Sequence, residues 1–567
     1  MFKFGDKSEY MVADFETSND PDACRVWLAC ITPLDMSDHQ VFFDISDWFS
    51  YVKSNCVGKC IFFHNLAFDG TFIIDYLLSI GYDSVGLDSG TMKSRTFKSC
   101  ISEMGSYYYI EIKPNSKDKI YIYDSYKLIP LSEADVCKTF GLDVAKGEID
   151  YRTPRPKGYV PTADEISYVK NDCDIMCKAL QTFRNEGFLD GFTIGMNAVK
   201  EFKKTISEND YARWFPHLTD GLDDWFRKAY KGGVCYVNPA YQGKTVGEGV
   251  VYDANSLYPS QMLNNPYPVG HPHVFNGYPP LGKLFIVHVR ASFRVKPGWI
   301  PFIQMRSTPG FAPTEHVSET FGDESLDLYL TSVDFELFNR SYDIRNVEFL
   351  GGYWFDQAND LFKAYVEKFR TMKIEADREG NKGRRAIAKL FLNNLYGKFA
   401  TNPHRRSKKP YLKEDGTTGY EMLAKGTSGK PIYTPIACFV TSYGRYETCM
   451  TAHLNWDRFL YCDTDSVHLL GKEEAKGIRI HDTEFGSWKL ESEFVAGKYL
   501  HAKTYVEQQT DGSMNAHVCG CPRDLFRNIT LDEFRIGYTT TGKLRKYRVK
   551  GGCLLMEAPF TIKDVKD

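Results

Sequence analysis

Long apolar runs are missing from this sequence. No stretch approaches the ~18 consecutive apolar residues that a membrane-spanning helix needs, so no membrane partner is expected. The opening MFKFGDKSEYMVADFET has no apolar h-region and is not read as a signal peptide. Zinc patterns are missing too: no C-x-x-C occurs, and no His stands at finger spacing. The 15 cysteines include C-x-x-x-C pairs at Cys56/Cys60 and Cys173/Cys177, while Cys519 and Cys521 flank one glycine. They are read as reduced thiols of a cytosolic protein. A strong net charge is also lacking, since 70 Lys and Arg against 73 Asp and Glu leave −3. That excludes a histone-like binder but not a basic channel beside acidic metal sites. Internal repeats and low-complexity tracts are absent.

What is present is ordinary in bulk: 43% hydrophobic and 25% charged residues over 567 positions, enough for two to four folding units. Only the aromatic share, with 36 Tyr and 39 Phe, is high. Most will fill core, and some can stack on bases. The first third alternates short strands, such as IFFHN at Ile61–Asn65, with helical patterns, such as Gly70–Ile80. Asn265–Pro301 is rich in Pro and Gly and reads as irregular or as a strand-and-turn insertion. Leu361–Ala400 has helical periodicity, and the basic segment His404–Glu421 reads as an inserted hairpin or loop. Strands are expected to return after Pro435, and a basic run, GKLRKYRVKGG, lies near the end.

Three acidic segments come early. In the strand pattern Val12–Thr17, Asp14 and Glu16 are two apart and point the same way. Asp69 stands at a strand-to-helix junction, HNLAFDG, and Tyr168 and Asp172 share one helical face at i and i+4. Four carboxylates converging on one place repel each other unless divalent cations sit between them. Two such ions ~4 Å apart can activate a water and stabilise the leaving oxygen of a phosphodiester.

Two more acidic segments come late. Gly249–Asp253 is an apolar strand ending in a carboxylate, followed by ANSLYPS. Phe459–His468 reads as a hairpin around Asp463-Thr464-Asp465. Strand-end carboxylates from separate strands can clamp two cations for phosphoryl transfer. Between them, Lys389, Asn393 and Tyr396/Gly397 form one polar stripe on an otherwise apolar helix. Lys can grip a triphosphate, Tyr can stack on a base pair, and Gly allows close approach.

The early segments resemble the Exo I (D-x-E), Exo II (N-x-x-F-D) and Exo III (Y-x-x-x-D) motifs of DEDDy proofreading exonucleases. The late ones resemble the D-x-x-S-L-Y-P, K-x-x-x-N-S-x-Y-G and Y-x-D-T-D-S motifs of family B DNA polymerases, with Asn394 in place of the usual Ser. The resemblance implies Asp14, Glu16, Asp69 and Asp172 as metal ligands, with Tyr168 orienting the attacking water. It implies Thr17, His64, Asn65 and Phe68 as holders of a single-stranded primer end, and Lys146 as an assisting lysine. In the second site it implies Asp253 and Asp465 as the metal pair, Asp463 as a support, and Tyr258 as the gate against ribonucleotides. Lys389, Asn393, Tyr396 and Gly397 would meet the dNTP. Lys373 would be a second triphosphate contact, a role that Arg385 could share.

Further resemblances are Y-x-G-G at Tyr230, Gly232 and Gly233; T-x-x-A-R at Thr441 and Arg445, with Gly444 replacing Ala; and K-x-Y at Lys503 and Tyr505. They imply DNA and primer contacts. The whole pattern is similar to the protein-primed polymerases of small tailed bacteriophages. It implies an α/β and α+β multidomain chain: an RNase H-like 3′→5′ exonuclease domain over 1–193, then a right-hand polymerase. The latter would comprise palm (194–264 and 435–519), fingers (361–400), thumb (520–567) and insertions at 265–360 and 401–434. The expected cofactors are two Mg²⁺ per site, with Mn²⁺ able to substitute. The expected partners are primer–template, a single-stranded primer end, dNTPs and a terminal priming protein, with the chain a monomer or paired with that protein in the host cytoplasm. The nearest competitors are a nuclease with a degenerate polymerase half, a non-catalytic replication scaffold and a reverse transcriptase. They are disfavoured by the intact carboxylates of both sites and by the exonuclease motifs.

Overall fold

The structure, a computed structural model, describes residues 2–5, 7–141, 149, 153–304, 316–320, 324–423 and 431–564. It divides into two units. The first joins Met1–Phe202, Glu367–Lys430 and Leu544–Met556; the second joins Lys203–Val366, Pro431–Lys543 and Glu557–Asp567.

The first unit is built on a ten-stranded mixed sheet. Inside it, third from one edge, the strand Tyr10–Thr17 is antiparallel to Val26–Pro33 and parallel to Cys60–Phe63. Val26–Pro33 and Cys60–Phe63 are apolar on nearly every residue because helices cover the sheet, which is why they do not alternate, while Tyr10–Thr17 carries Asp14 and Glu16 two apart. The helix Ala163–Asn185 packs on the first two strands. It starts at a capping box in which Thr162 and Glu165 satisfy each other's backbone N–H groups. The helix Asp69–Ser79 is buried along most of its length. At the far edge the sheet gains the hairpin Ser407–Leu412/Thr418–Met422, joined through Ser407 and Lys408 to Thr96–Ser102. The basic insertion is thus a hairpin, as its turn residues suggested, and it extends the sheet of this unit. The helices Lys363–Arg378 and Lys382–Asn394 take up the periodic region, with Phe369 stacked on Phe391 at 4.5 Å and 13°.

The second unit contains an eight-stranded antiparallel sheet. Gly249–Ala254 lies between Ser466–Leu470 and Trp488–His501, and Phe459–Asp463 pairs with both Ser466–Leu470 and Cys235–Val237. A four-stranded sheet of Tyr267–Phe275, Tyr342–Ala358, Leu284–Val295 and Leu326–Thr331 fills the first insertion. Strands return after Pro435 only from Phe459 on, because Thr434–Leu454 is first a helix of 21 residues. Pro435 stands in its first turn, where a missing N–H costs nothing. The run IACFV is the part of the helix buried on all sides. Apolar content without alternation fits a buried helix as well as a strand.

Candidate functional site

The strand Tyr10–Thr17 and the helix Ala163–Asn185 bring the first cluster together. One carboxylate oxygen each from Asp14, Glu16 and Asp172 lies within 4.8 Å of the others. Glu16 and Asp172 are buried and Asp14 is half-buried. Burial pushes the Asp14 carboxyl well above the usual range, helped by the charges of Glu133, Asp69, Glu16 and Asp172. Asp69, buried in the first turn of its helix, is pushed up to about 8 by burial; Lys546 works against the shift, and Glu133 and Asp124 add to it. Anions crowded in a dry place protonate unless a cation compensates them. A hard divalent cation that takes oxygen ligands fits this donor set.

Tyr168 is buried one turn before Asp172. Asn65 is exposed, and Thr17 and Phe68 are half-buried. His64 needs correction as a primer contact, because both its ring nitrogens are used inside the fold, by Ser125 Oγ at 3.0 Å and the Leu131 carbonyl at 2.8 Å. Lys146 lies outside the described residues. Sequence reading missed two charges that bear on this cluster. Glu133 is in the first turn of a Ser132-capped helix, where an acidic residue is ordinary. The Lys546 ammonium lies 5.4 Å from the Phe68 ring centroid; nothing in the sequence links positions so far apart.

The second cluster is set by register. Asp253 pairs across with Ser466, and the N–H of Ala254 donates to the carbonyl of Asp465 at 2.7 Å. Both predicted ligands therefore stand at one end of neighbouring strands. Asp463 is held by Lys503, whose Nζ is 2.7 Å from each of its carboxylate oxygens. Burial pulls the Lys503 ammonium down, and the contact with Asp463 outweighs it, leaving a net rise. Asp463 thus carries its own counter-ion, as a support would.

The backbone here is strained in places. Asn65, Ser256, Thr464 and Lys503 have φ of 61°, 57°, 61° and 58°, and all four lie in motif segments. Each such residue costs ~1–3 kcal/mol and persists only where its surroundings hold it. Thr464 shows how. Its N–H donates to Val234, its carbonyl accepts from Thr448, and Gly233 makes room, since a Cβ there would lie 2.7 Å from the threonine side chain. Gly444 does the same for Tyr258: a Cβ at 444 would lie 2.8 Å from its Cε1. That close approach explains the Gly where the motif has Ala.

Thr441 and Arg445 are not surface DNA contacts. Both are buried, and Arg445 donates to Asp334 at 2.6 and 3.1 Å and to the carbonyls of Lys231 and Gly232 at 2.8 and 2.7 Å. The guanidinium instead fixes the Y-x-G-G segment. Arg445→Ala or Asp334→Ala leaves a buried charge alone and is expected to cost about 3–5 kcal/mol, read as a lower urea midpoint.

Tyr505 stacks on His517 at 4.7 Å and 12°. Burial holds His517 down, to about 4, with Arg523 adding to it. An unfolded imidazole titrates near 6.5, so between about pH 6.5 and pH 4 the unfolded chain binds more protons. Stability from this group is full above that window and falls as the pH drops through it. His517→Phe should flatten the acid side of a urea-midpoint profile relative to the parent; parallel profiles would refute this.

In the first unit, Lys389, Asn393 and Gly397 are exposed and Tyr396 and Lys373 are half-buried. Lys389 and Asn393 share an exposed face of the helix Lys382–Asn394, whereas Tyr396 and Gly397 fall beyond Leu395 on a separate short helix, Tyr396–Phe399, so the stripe does not lie on one helix as expected. Arg385 pairs with Asp377 at 2.6 Å, which weakens its claim to share the role of Lys373.

Known proteins are similar to this chain in sequence and fold. Residues 54–157 and 149–482 match the family described as DNA polymerase type B, organellar and viral. The chain is 36% identical to the DNA polymerases of Bacillus phages M2 and phi29, over 97% of its length and 99% and 98% of theirs. It is 31% identical to that of Streptococcus phage Cp-1, over 98% and 99%. The solved phi29 DNA polymerase complexed with primer-template DNA and incoming nucleotides superposes with a TM-score of 0.91 at 35% identity, covering 98% of this chain and all of that one. Phi29 DNA polymerase complexed with single-stranded DNA gives 0.89. Family match, full-length identity and shared fold together establish that this chain belongs to the organellar and viral type B DNA polymerases.

Proposed function

We propose that this polymerase extends a DNA primer on a DNA template at Asp253 and Asp465 and removes mispaired 3′ ends at Asp14, Glu16, Asp69 and Asp172. The observation that carries the reading is the pairing of the Asp253 strand against the acidic hairpin, which leaves two carboxylates at one sheet end. Divalent cations, Mg²⁺ with Mn²⁺ able to substitute, would be held two per site by these carboxylates, where they would activate the attacking oxygen and offset phosphate charge.

The chain's own groups do the rest. Lys389 grips the triphosphate as a point charge. Lys373 assists it, and Asn393, Tyr396 and Gly397 shape the pocket for the nascent base pair. Tyr258, with its depth set by Gly444, excludes a 2′-hydroxyl. Lys503 keeps Asp463 in place beside the primer terminus, which Tyr505 supports. In the other site Tyr168 orients water, and Thr17, Asn65 and Phe68 hold the unpaired end.

Initiation would use a hydroxyl of a separate terminal protein, in a bacterial host's cytoplasm, a reading that the phage relatives support. The insertion at 265–360 supports it with exposed apolar residues Val274, Tyr278 and Leu281, the surface a protein partner would cover. The polymerase would act as a monomer or paired with that protein. Among the described residues, no helix is long and apolar enough to cross a membrane. A gel assay on a 5′-labelled primer–template with Mg²⁺ tests the core of the proposal. The primer should lengthen with dNTPs and shorten without them. Shortening that never gives way to extension would overturn the polymerase assignment.

A further inference from the structure

The helix Lys382–Asn394 has a front and a back. At about 100° per residue, Lys389 and Asn393 stand about 140° and 180° round from Arg384, whereas Ile387, Ala388 and Phe391 fall within about 60° of it. Those three are buried, and Lys389 and Asn393 are exposed. Arg384 thus opens the buried side, at the start of the helix. Its guanidinium meets three carboxylates: Nε is 3.2 Å from Glu186, Nη2 is 3.1 Å from Glu375 and Nη1 is 3.5 Å from Glu379. Glu375 and Glu379 belong to the neighbouring helix Lys363–Arg378 and the turn after it. Glu186 closes the helix Ala163–Asn185, which carries Tyr168 and Asp172. We propose that Arg384 is a positioning residue for polymerisation, pinning the start of the nucleotide-binding helix to the end of the helix that carries Tyr168 and Asp172, and so setting where Lys389 and Asn393 meet the incoming dNTP. The proposal rests on the polymerase reading given above.

A single exposed ion pair would be a weak pin, because water competes and long side chains lose freedom. Arg384 is better placed than that. Only 22% of its side chain is exposed, and its planar fork turns each nitrogen toward a different carboxylate. It also lies at the C-terminal end of the helix Ala163–Asn185, where the peptide dipoles favour a cation. Its own backbone is fixed, since the Asn381 side chain accepts the Arg384 N–H at 2.9 Å.

The rest of the back side docks on the same part of the chain. Phe391 lies 4.5 Å from the Phe188 ring, with Phe369 packed on both. Gly383 lies so close to Phe140 that a Cβ there would come within 2.7 Å of its ring. Apolar packing of this kind is non-directional. It holds the helix near its support but resists sliding and rotation less than a forked guanidinium does, whose bonds have fixed directions. Small rotations matter here, because a misplacement of about 1 Å at a reacting group can cost about a hundredfold in rate.

The test is single-nucleotide insertion by the full chain on a primer–template over a range of dNTP concentrations, with 3′→5′ degradation and thermal melting of the same proteins. Arg384→Glu gathers four carboxylates in one place. It is expected to raise the KM for dNTP about five- to thirtyfold, to lower kcat by less than about threefold, and to leave degradation at the parent's level. Glu186→Arg/Arg384→Glu, with the charges exchanged, should bring the KM back to within about threefold of the parent. A parental KM in Arg384→Glu overturns the proposal. So does an equal loss of extension and degradation with a lower melting temperature, which would mean a stabilising role alone. So does a KM that the exchange leaves high, which would make Arg384 itself a triphosphate contact. If no form extends the primer, the polymerase reading fails, and hydrogen exchange over Lys382–Asn394 still reads the pin. Exchange should be faster in Arg384→Glu and slow again in the charge-exchanged form; exchange that ignores both changes overturns the pin as well.

Discussion

Asp253→Asn is expected to lower primer extension by about three to five orders of magnitude and leave shortening of the same primer intact. The amide keeps the shape of the carboxylate, so the pairing of Asp253 with Ser466 and the Ala254 bond to Asp465 survive. What is lost is one of the two negative charges that would hold the cations under this proposal. Metal stabilisation of a phosphoryl-transfer transition state is worth several kcal/mol, and each ~1.4 kcal/mol is tenfold in rate. Asp463→Asn is the comparison that gives the result meaning. Its charge is already matched by Lys503, so its loss should cost about tenfold or less. Single-turnover extension with both variants separates ligand from support. Equal losses in the two, or an Asp253→Asn enzyme within tenfold of the parent, would remove Asp253 from the metal site.

Much of this was legible in the sequence, for a reason specific to these segments. Asp14 and Glu16, or Tyr168 and Asp172, are close in the chain, and the period of a strand or helix puts each pair on one face. The hairpin around Thr464 announces itself by its short acidic turn between apolar strands. What stayed hidden depends on distant segments. Arg445 lies in a motif-like segment, yet its partner Asp334 is 111 residues away, and that pairing turns an expected DNA contact into an internal clamp. His64 is committed to Ser125 and Leu131 in the same way. The helix Thr434–Leu454 was missed because its buried start carries no polar stripe to reveal the period. Lys546, Tyr411 and Ala67 meet around one cavity from three parts of the chain, a meeting that only the assembled sheet brings about.

Asp14→Ala/Glu16→Ala should have the converse effect: 3′→5′ degradation falls by about three to five orders of magnitude, and extension persists. The structure adds an expectation that the motif alone does not. Asp14, Glu16 and Asp172 crowd within 4.8 Å, and the Asp14 and Asp69 carboxyls are both pushed upward. Burying like charges together costs stability unless a cation is present. Removing two of them should therefore leave the fold in EDTA no weaker than the parent, and should raise its melting temperature. With Mg²⁺ the order should shift, because only the parent gains the stabilisation that comes from binding a ligand to the native state. Thermal melts of parent and variant, each with EDTA and with Mg²⁺, test this beside the degradation assay. A variant that loses degradation but melts well below the parent in EDTA would point to a structural role for these carboxylates. A parent whose melting ignores Mg²⁺ would count against metal binding at this cluster.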